Sequence, residues 1–526
     1  MQRMQGQAAS KGFFAGPACV VADHAATYAH SGNPAQEAQA LRDAVFSATL
    51  ELQDLLASVE GEAADVIAFQ IAMLEDEELV APCWDIIASG EPADAAWRMA
   101  MGSQIENYLS SDDEYFRARV TDLEDIKSRV LRCLAGGKQV KAAAGTVLVG
   151  HDVSPSQFLS HDWSKAGAIV VSGGSITSHV AMLARSRGIP MVVRAAPWVE
   201  TDGVHMLVDA ETGAVILNPD AAATAAFEQK ASAFAARQRV SEAFRLRPTM
   251  RRDGTRIQLL VNIADPAEVD HIDINSCDGV GLMRSEFLFR DGAPLPDEEH
   301  QYRAYRKVLE WAGEKPVTIR TLDIGGDKPI TGLTPEGESN PFLGLRGVRL
   351  TLARPDVFRV QLRALARAAA HGNLQVMLPM VTLPDEITQA AQLLDDAEKE
   401  LSAEGIACHK PKLGIMAEVP AVAISPELFK AAAFFSIGSN DLTQYTLAVS
   451  RDDARVSALS DPAHPAVLRL ISGLIQYGGA NGVSVSLCGD MASDPKHVET
   501  LVKLGLKTFS VAPSMIGENK QAIASL

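Results

Sequence analysis

The 526-residue chain has no cysteine pair of the CxxC kind; its six cysteines stand apart at positions 19, 83, 133, 277, 408 and 488. That scatter indicates neither a disulfide framework nor a zinc site, and it fits reduced thiols in the cytoplasm. Equally absent is any apolar run approaching the roughly 18 residues that cross a bilayer. The opening stretch MQRMQGQAAS lacks the apolar centre of a secretion signal. A cytoplasmic protein, neither exported nor inserted in a membrane, is therefore expected. Positive charge is short as well: 48 Lys and Arg against 66 Asp and Glu give a formal net charge of -18. Phosphate-rich surfaces would repel such a chain, which argues against nucleic acid and anionic membrane as partners and leaves room for a basic protein.

What the chain does have is apolar content, 47% of residues, enough for several cores. At roughly 100 to 200 residues per domain its length predicts three domains or so. KGFFAGPACVV, near residues 11 to 21, reads as a strand. From about Pro34 to Leu134 the pattern is helical: Leu41, Val45, Ala48, Leu52, Leu55 and Val59 recur at spacings of three and four, as do Phe116, Val120, Leu123, Ile126 and Val130. Two long helices with shorter ones between them make a bundle. Its acidic residues, Glu60, Glu62, Asp65 and the LEDEEL run at 74 to 79, suit a solvated face and equally the docking of a basic partner.

Short β-like runs then return between about Lys141 and Pro219 (GTVLVG, GAIVV, PMVV, HMLVDA, AVILN), predicting a compact α/β domain. At its centre lies VVSGGSITSHVAMLARSRGIPMVV, a strand, a glycine turn at Gly173 and Gly174, a Thr177/Ser178 cap and a helix that starts near His179. Taken alone, a histidine there is no more than part of a helix start. It also suits a phosphoryl carrier, because unpaired N–H groups and the helix dipole favour an anion at that end and neutral imidazole is a nucleophile at pH 7. Residues 221–248, rich in alanine and charge with little apolar stripe, read as a semi-rigid helical linker.

The remainder alternates strands with helices. Eight strand candidates begin at Ile257, Gly279, Val317, Leu374, Leu413, Phe434, Val483 and Thr508, which is the count of a (β/α)8 barrel. Most end in polar or ionisable residues: Arg284 and Glu286, Arg320 and Asp323, Glu418, Asn440 and Asp441, Cys488 and Asp490. In a barrel these converge on the face that carries active sites. Arg284, Arg320, Arg346 and Arg451 are planar forks for phosphate or carboxylate oxygens, and Lys328 adds a point charge. Glu418 and Asp441 are hard oxygen ligands of the kind Mg²⁺ takes together with substrate phosphate, although carboxylates there could simply neutralise arginines. A small phosphorylated carboxylate is the predicted substrate.

GVGLMRSEFLF, RTLDIGGDKP, NPFLGLRGVRL, LPMV, GIMAEVPA, FFSIGSNDLTQYTLAVSRD and LCGDMASD, in that order, resemble the motifs of the phosphoenolpyruvate-binding barrel of enzyme I, the phosphoenolpyruvate-protein phosphotransferases of the bacterial sugar phosphotransferase system. MLEDEEL and DDEYFRARVTDLEDIKSRVLR are similar to that family's helical domain for the carrier HPr. The resemblance implies a multidomain α/β protein: a swivelling phosphohistidine α/β domain at 1–33 and 137–220, an inserted helical HPr-binding domain at 34–136, a helical linker at 221–248 and a (β/α)8 phosphoenolpyruvate-binding barrel at 249–526. It implies phosphorylation of His179 by phosphoenolpyruvate and transfer to HPr. It makes Arg284, Arg320, Arg346, Arg451, Asn440 and Lys328 substrate-binding, Glu418 and Asp441 ligands of Mg²⁺, and Cys488 the acid that protonates the enolate. A homodimer through the barrel is implied too. Phosphoenolpyruvate synthases and pyruvate phosphate dikinases share the histidine and barrel but carry a nucleotide-binding domain, and the first hundred or so residues here have no glycine-rich phosphate loop. Two departures stand out. GGSITSH has one residue more than the family's GGxTSH and lacks the basic residue common after the glycines, and the chain ends soon after its eighth strand candidate, where the family commonly continues through further helix.

Overall fold

The computed structural model describes residues 2–21, 28–57, 59, 62–110, 114–137, 143–176, 178–197, 202–289, 294–326, 330–335, 337–450 and 455–526; at a few of these, His179 among them, the backbone alone is described. They form two compact units, Met1–Ala236 and Arg237–Leu526.

The first unit opens with β1 (Gln2–Ser10) and β2 (Phe13–Val20). A bundle follows: α1 (Pro34–Leu56), α2 (Glu62–Glu75), α3 (Glu77–Ala88), α4 (Ala93–Ser110) and α5 (Glu114–Leu134). α1 starts where the Asn33 side chain accepts from the Ala35 and Gln36 amides, with Pro34 in the first turn, where no N–H is needed. Leu41, Ala48 and Leu52 of α1 are buried in one core with Leu123, Ile126 and Val130 of α5, so the spacing of three and four is the packed stripe. Glu37 is buried with it. The Ala93 amide donates to it at 2.8 Å, and the Ser31 amide and hydroxyl at 2.6 and 2.7 Å. Burial alone would raise its pKa, but these donors prevail and draw it down to about 2.

The chain then makes β3 (Val147–Gly150), α6 (Pro155–Ser160), β4 (Ala168–Val171), α7 (His179–Ser186), β5 (Met191–Ala196), β6 (His205–Asp209) and β7 (Ala214–Leu217). With the first two strands these close a barrel in the order β1-β5-β4-β3-β2-β6-β7. β1 is absent from the sequence reading. Its Gln-rich run buries only Met4, Ala9 and Ser10, and it is a strand because it pairs antiparallel with both β5 and β7; tertiary pairing overrides a weak local pattern. Bundle and barrel cluster as one compact unit. Buried Asp125 of α5 joins them, accepting from Ser156 Oγ at 2.8 Å, the Ser156 amide at 3.3 Å and Gln70 Nε2 at 3.0 Å.

α8 (Ala221–Arg245) is a helix where a helical linker is expected at 221–248, but it does have apolar anchors. Phe227 and Phe234, two turns apart, pack on Phe13 with ring centroids 5.5 and 5.3 Å away, contacts worth about 0.5–1.5 kcal/mol each beyond burial.

All eight strand candidates of the second unit form: β8 (Gln258–Ile263), β9 (Val280–Met283), β10 (Val317–Arg320), β11 (Leu374–Leu378), β12 (Lys412–Ala417), β13 (Phe434–Gly438), β14 (Ser484–Cys488) and β15 (Thr508–Val511). Every ladder is parallel and the barrel closes from β15 to β8. The intervening helices are α9 (Glu298–Ala312), α10 (Val348–Ala353), α11 (Pro355–Ala368), α12 (Pro384–Ala403), α13 (Pro420–Ile424), α14 (Ser439–Leu447), α15 (Pro465–Asn481), α16 (Asp490–Ser493) and α17 (Pro495–Lys503). After β15, α18 (Ile516–Ala524) packs beside α17 with Ile516 and Ile523 buried, so a helix does follow the eighth strand. No helix among the described residues is long and apolar enough to cross a membrane.

Candidate active site

The ends of β9, β10, β12 and β13 bring charge together out of water. Four carboxyl groups (Glu286, Asp323, Glu418, Asp441) and two guanidiniums (Arg320, Arg346) are buried there. Arg320 holds Glu286 at 2.5 Å and Asp323 at 2.8 Å. Arg346 grips Asp323 through Nε and Nη2, both at 3.1 Å, and reaches Asp441 at 3.0 Å. Burial works against the charge on each guanidinium, but Asp323 and its fellow carboxylates outweigh burial and keep both pKa values above the ordinary arginine range.

Glu418, at the end of β12, is different. Its Oε1 accepts the Met380 amide at 2.7 Å. Burial first, then repulsion from Asp441 and Asp323, raises its pKa well above the usual carboxylate range, and the two arginines offset this only in part. Met380 itself has a left-handed backbone, φ 57°, a costly conformation for a residue with a side chain and one that clusters at functional sites. Tyr445 of α14 donates to the Phe342 carbonyl at 2.6 Å and accepts from Arg346 Nη1 at 3.3 Å, tying the segment before α10 to this cluster.

Next in register, Gly438 of β13 pairs with Cys488 of β14. The Cys488 thiol donates to the Ile437 carbonyl at 3.4 Å and accepts from Ser436 Oγ at 3.6 Å. Burial pushes its pKa up to about 11; the Ser436 hydrogen bond and the charges of Arg320 and Arg284 act in the other direction. Asn440 is engaged with Asp490, donating from Nδ2 at 3.1 Å and accepting the Asp490 amide at 3.0 Å. Arg284 is exposed just past β9.

A dication suits the carboxylate excess. With every group ionised, the buried set carries two more negative than positive charges, and Glu286 Oε2 is a buried oxygen without a hydrogen-bond partner among the described residues. Those residues contain no cluster of three or more His, Cys, Asp or Glu set as a metal cage. One or two carboxylates with otherwise open coordination is the pattern that Mg²⁺ uses beside phosphate.

In the first unit, α7 begins at His179, capped by Ser178, whose hydroxyl accepts the Ala181 amide at 3.2 Å. The preceding turn is held by its carbonyls: Arg194 donates its amide to Gly173 at 3.0 Å and its Nε to Gly174 at 3.3 Å, and Arg185 donates to Ile176 at 2.8 Å. Gly174 needs its left-handed φ of 76°. The residues that lengthen the turn include Ile176, which is exposed.

The structure thus gathers Arg320, Arg346, Glu418 and Asp441, with Cys488 and Asn440 on adjoining strand ends. Lys328, Arg451 and Glu60 lie outside the described residues, as do the side chains of His179, Glu62, Asp65 and Phe116. The sequence reading did not find Tyr445 or the Met380 amide. Tyr445 lies within FFSIGSNDLTQYTLAVSRD, on the helix that carries Asp441, a signal that could have been used; a backbone donor leaves none.

Three family models match successive parts of the chain. Residues 5–119 match "PEP-utilising enzyme, N-terminal", residues 142–213 "PEP-utilising enzyme, mobile domain" and residues 238–526 "PEP-utilising enzyme, PEP-binding domain". A barrel with buried arginines and carboxylates on its rim, together with a separate histidine-bearing unit, is thereby of the PEP-utilising class. Within that class the chain belongs to the phosphoenolpyruvate-protein phosphotransferase family. It is 37% identical over 471 residues to the phosphoenolpyruvate-protein phosphotransferase of Priestia megaterium (88% of this chain, 82% of that protein). With that of Enterococcus faecalis it shares 36% over 505 residues (93% and 88%), and with that of Bacillus subtilis 34% over 540 residues (100% and 95%).

Proposed function

We propose that this protein transfers the phosphoryl group of phosphoenolpyruvate to His179, releases pyruvate, and passes the group on to the phosphocarrier HPr. The observation that carries the reading is the rim cluster, in which two buried guanidiniums are held in place by carboxylates at neighbouring strand ends. Little covalent chemistry is asked of a protein in phosphoryl transfer, so fixed charge and positioning supply most of the rate. Arg284, open to solvent, meets the incoming substrate, with Asn440, Lys328 and Arg451 as further contacts. Arg320 and Arg346 are held in place by the carboxylates of the rim, whose excess negative charge a bound dication would offset. Glu418 and Asp441 would hold Mg²⁺, which when bound offsets charge on the transferring group.

The His179 imidazole takes the phosphoryl group as the bond to the enol oxygen breaks. Cys488 gives its proton to the methylene carbon of the enolate, forming pyruvate, and the thiolate regains a proton from solvent. A thiol with pKa near 11 is fully protonated at neutral pH, and a donor must hold its proton until the enolate forms. The same reading has the protein act in the cytoplasm as a homodimer joined through the second unit, with the acidic helical bundle receiving HPr.

Labelled phosphoenolpyruvate and Mg²⁺ test this directly. Protein-bound label, labile to acid and stable to base, is expected in the wild type and absent from His179→Ala. An unlabelled wild type overturns the relay; equal labelling of His179→Ala overturns the choice of nucleophile.

A further inference from the structure

Glu286 and Asp323, the two carboxylates on Arg320, stand on different loops, one after β9 and one after β10. Behind both loops lies Gln361 of α11, with 1% of its surface exposed. Its Oε1 accepts the Leu322 amide at 3.0 Å, and its Nε2 donates to Ser285 Oγ at 3.1 Å and to Tyr305 Oη at 3.0 Å. Leu322 adjoins Asp323 in the chain, and Ser285 adjoins Glu286. One side chain therefore reaches both loops that supply partners to the same arginine.

The amide cannot turn over without loss. A backbone N–H only donates, so Oε1 must face Leu322 and Nε2 must face the two hydroxyls. The network continues outward in the same sense: the Tyr305 hydroxyl donates to Gln301 Oε1 at 3.1 Å, and Gln301 Nε2 donates to the Pro296 carbonyl at 3.0 Å. Ser285, Gln301, Tyr305 and Gln361 are all buried. Inside a low-dielectric interior such a satisfied network is rigid, and an unmet donor or acceptor is costly. An ordinary core network would need only to satisfy its own members. This one ends on the residues beside Glu286 and Asp323.

We infer that Gln361 is a positioning residue for substrate binding: through Ser285 and Leu322 it fixes Glu286 and Asp323 relative to each other, and so the plane in which Arg320 faces the substrate. The inference rests on the reading of the rim as a phosphoenolpyruvate site.

The test uses the full chain with phosphoenolpyruvate and Mg²⁺, following affinity by calorimetry and stability by urea unfolding. Gln361→Met keeps the length of the side chain without its polar atoms; Tyr305→Phe removes only the outer anchor and carries the test should Gln361→Met fold poorly. Affinity is expected to fall about tenfold or more in Gln361→Met and by a smaller factor in Tyr305→Phe. Glu298→Gln, which loses ion pairs with buried Arg363 and with Arg367 away from the rim, controls for stability and should bind as the wild type does. Combined with Glu286→Gln, the loss from either network variant should be less than additive, because both act on Arg320. Additive losses, or unchanged affinity in both network variants, would return Gln361 to core packing. A wild type that binds no phosphoenolpyruvate overturns the reading of the rim and this inference with it.

Discussion

Gly438 and Glu418 occupy one space: a Cβ built on Gly438 would lie 2.9 Å from the Glu418 carboxylate oxygen Oε2 and 2.9 Å from its Cβ. The two residues end adjacent strands, β13 and β12, and only the missing side chain lets the carboxylate lie over the strand end and take the Met380 amide.

Gly438→Ala should therefore push Glu418 out of position. Overpacking a core in this way costs about 1–3 kcal/mol, which a urea midpoint will register. A misplacement on the scale of 1 Å can cost about a hundredfold in rate, so turnover of phosphoenolpyruvate should suffer more than stability. Wild-type turnover in a folded Gly438→Ala protein would show that the place of Glu418 is immaterial.

Glu418→Gln and Asp441→Asn each remove one anionic ligand while keeping shape. Both proteins are expected to fold and to need higher Mg²⁺, with excess metal restoring part of the rate. Calorimetric Mg²⁺ titration gives a second readout: metal affinity should weaken in both. Identical Mg²⁺ affinity and rate in wild type and variants would remove these residues from the metal.

Cys488→Ala should keep the fold and the affinity for phosphoenolpyruvate while losing net pyruvate formation. Because burial holds the thiol pKa near 11, alkylation of Cys488 by iodoacetamide should be slow at pH 7, since the thiolate is the reactive form. Pyruvate formed at the wild-type rate by Cys488→Ala would reduce the residue to a small core side chain.

The bundle has its own pH signature. The pKa of Glu37 is about 2 when folded against 4.5 for a free glutamate side chain, so it binds fewer protons in the native state. Its stabilising contribution is complete above pH 4.5 and disappears as pH falls through about 2. Urea unfolding of the full chain should show that Glu37→Gln is less stable at pH 7 and that its deficit shrinks as pH approaches 3. A deficit independent of pH would mean that the ionised carboxylate is not what holds the Ala93 and Ser31 amides.

The barrel was legible because its strands are short apolar runs closed by polar residues, and because β/α alternation repeats eight times; even the start of β13 at Phe434 is where the pattern puts it. Helix α1 was legible for the same reason, a stripe at spacings of three and four. β1 was not, since Gln2, Gln5 and Gln7 carry no apolar alternation and the strand exists through its partners. The anchors of α8 escaped because two phenylalanines in a run of alanines make a weak stripe, which packing on Phe13 turns into a contact. In the site, residue types announced arginines and carboxylates but not who holds whom. Asp323 reads as one strand end among several; folded, it bridges Arg320 and Arg346. Gln361 and the Met380 amide act through geometry that no motif encodes, whereas Tyr445 stands in the same motif as Asp441.

The double pairing of β1 also sets an order of events. Gln2 is matched to Leu217 and Gln5 to Ala196, so the amino-terminal strand emerges from the ribosome long before either neighbour exists. The bundle is complete in sequence once α5 has been made, before β3 to β7 exist; closure of the first barrel must wait for β7 and is a high-contact-order step. Until then β1 and β2 present open edges, the surface on which chains of this kind aggregate or recruit chaperones. Refolding in the test tube should accordingly show helix recovered before the barrel, and yields that fall as protein concentration rises.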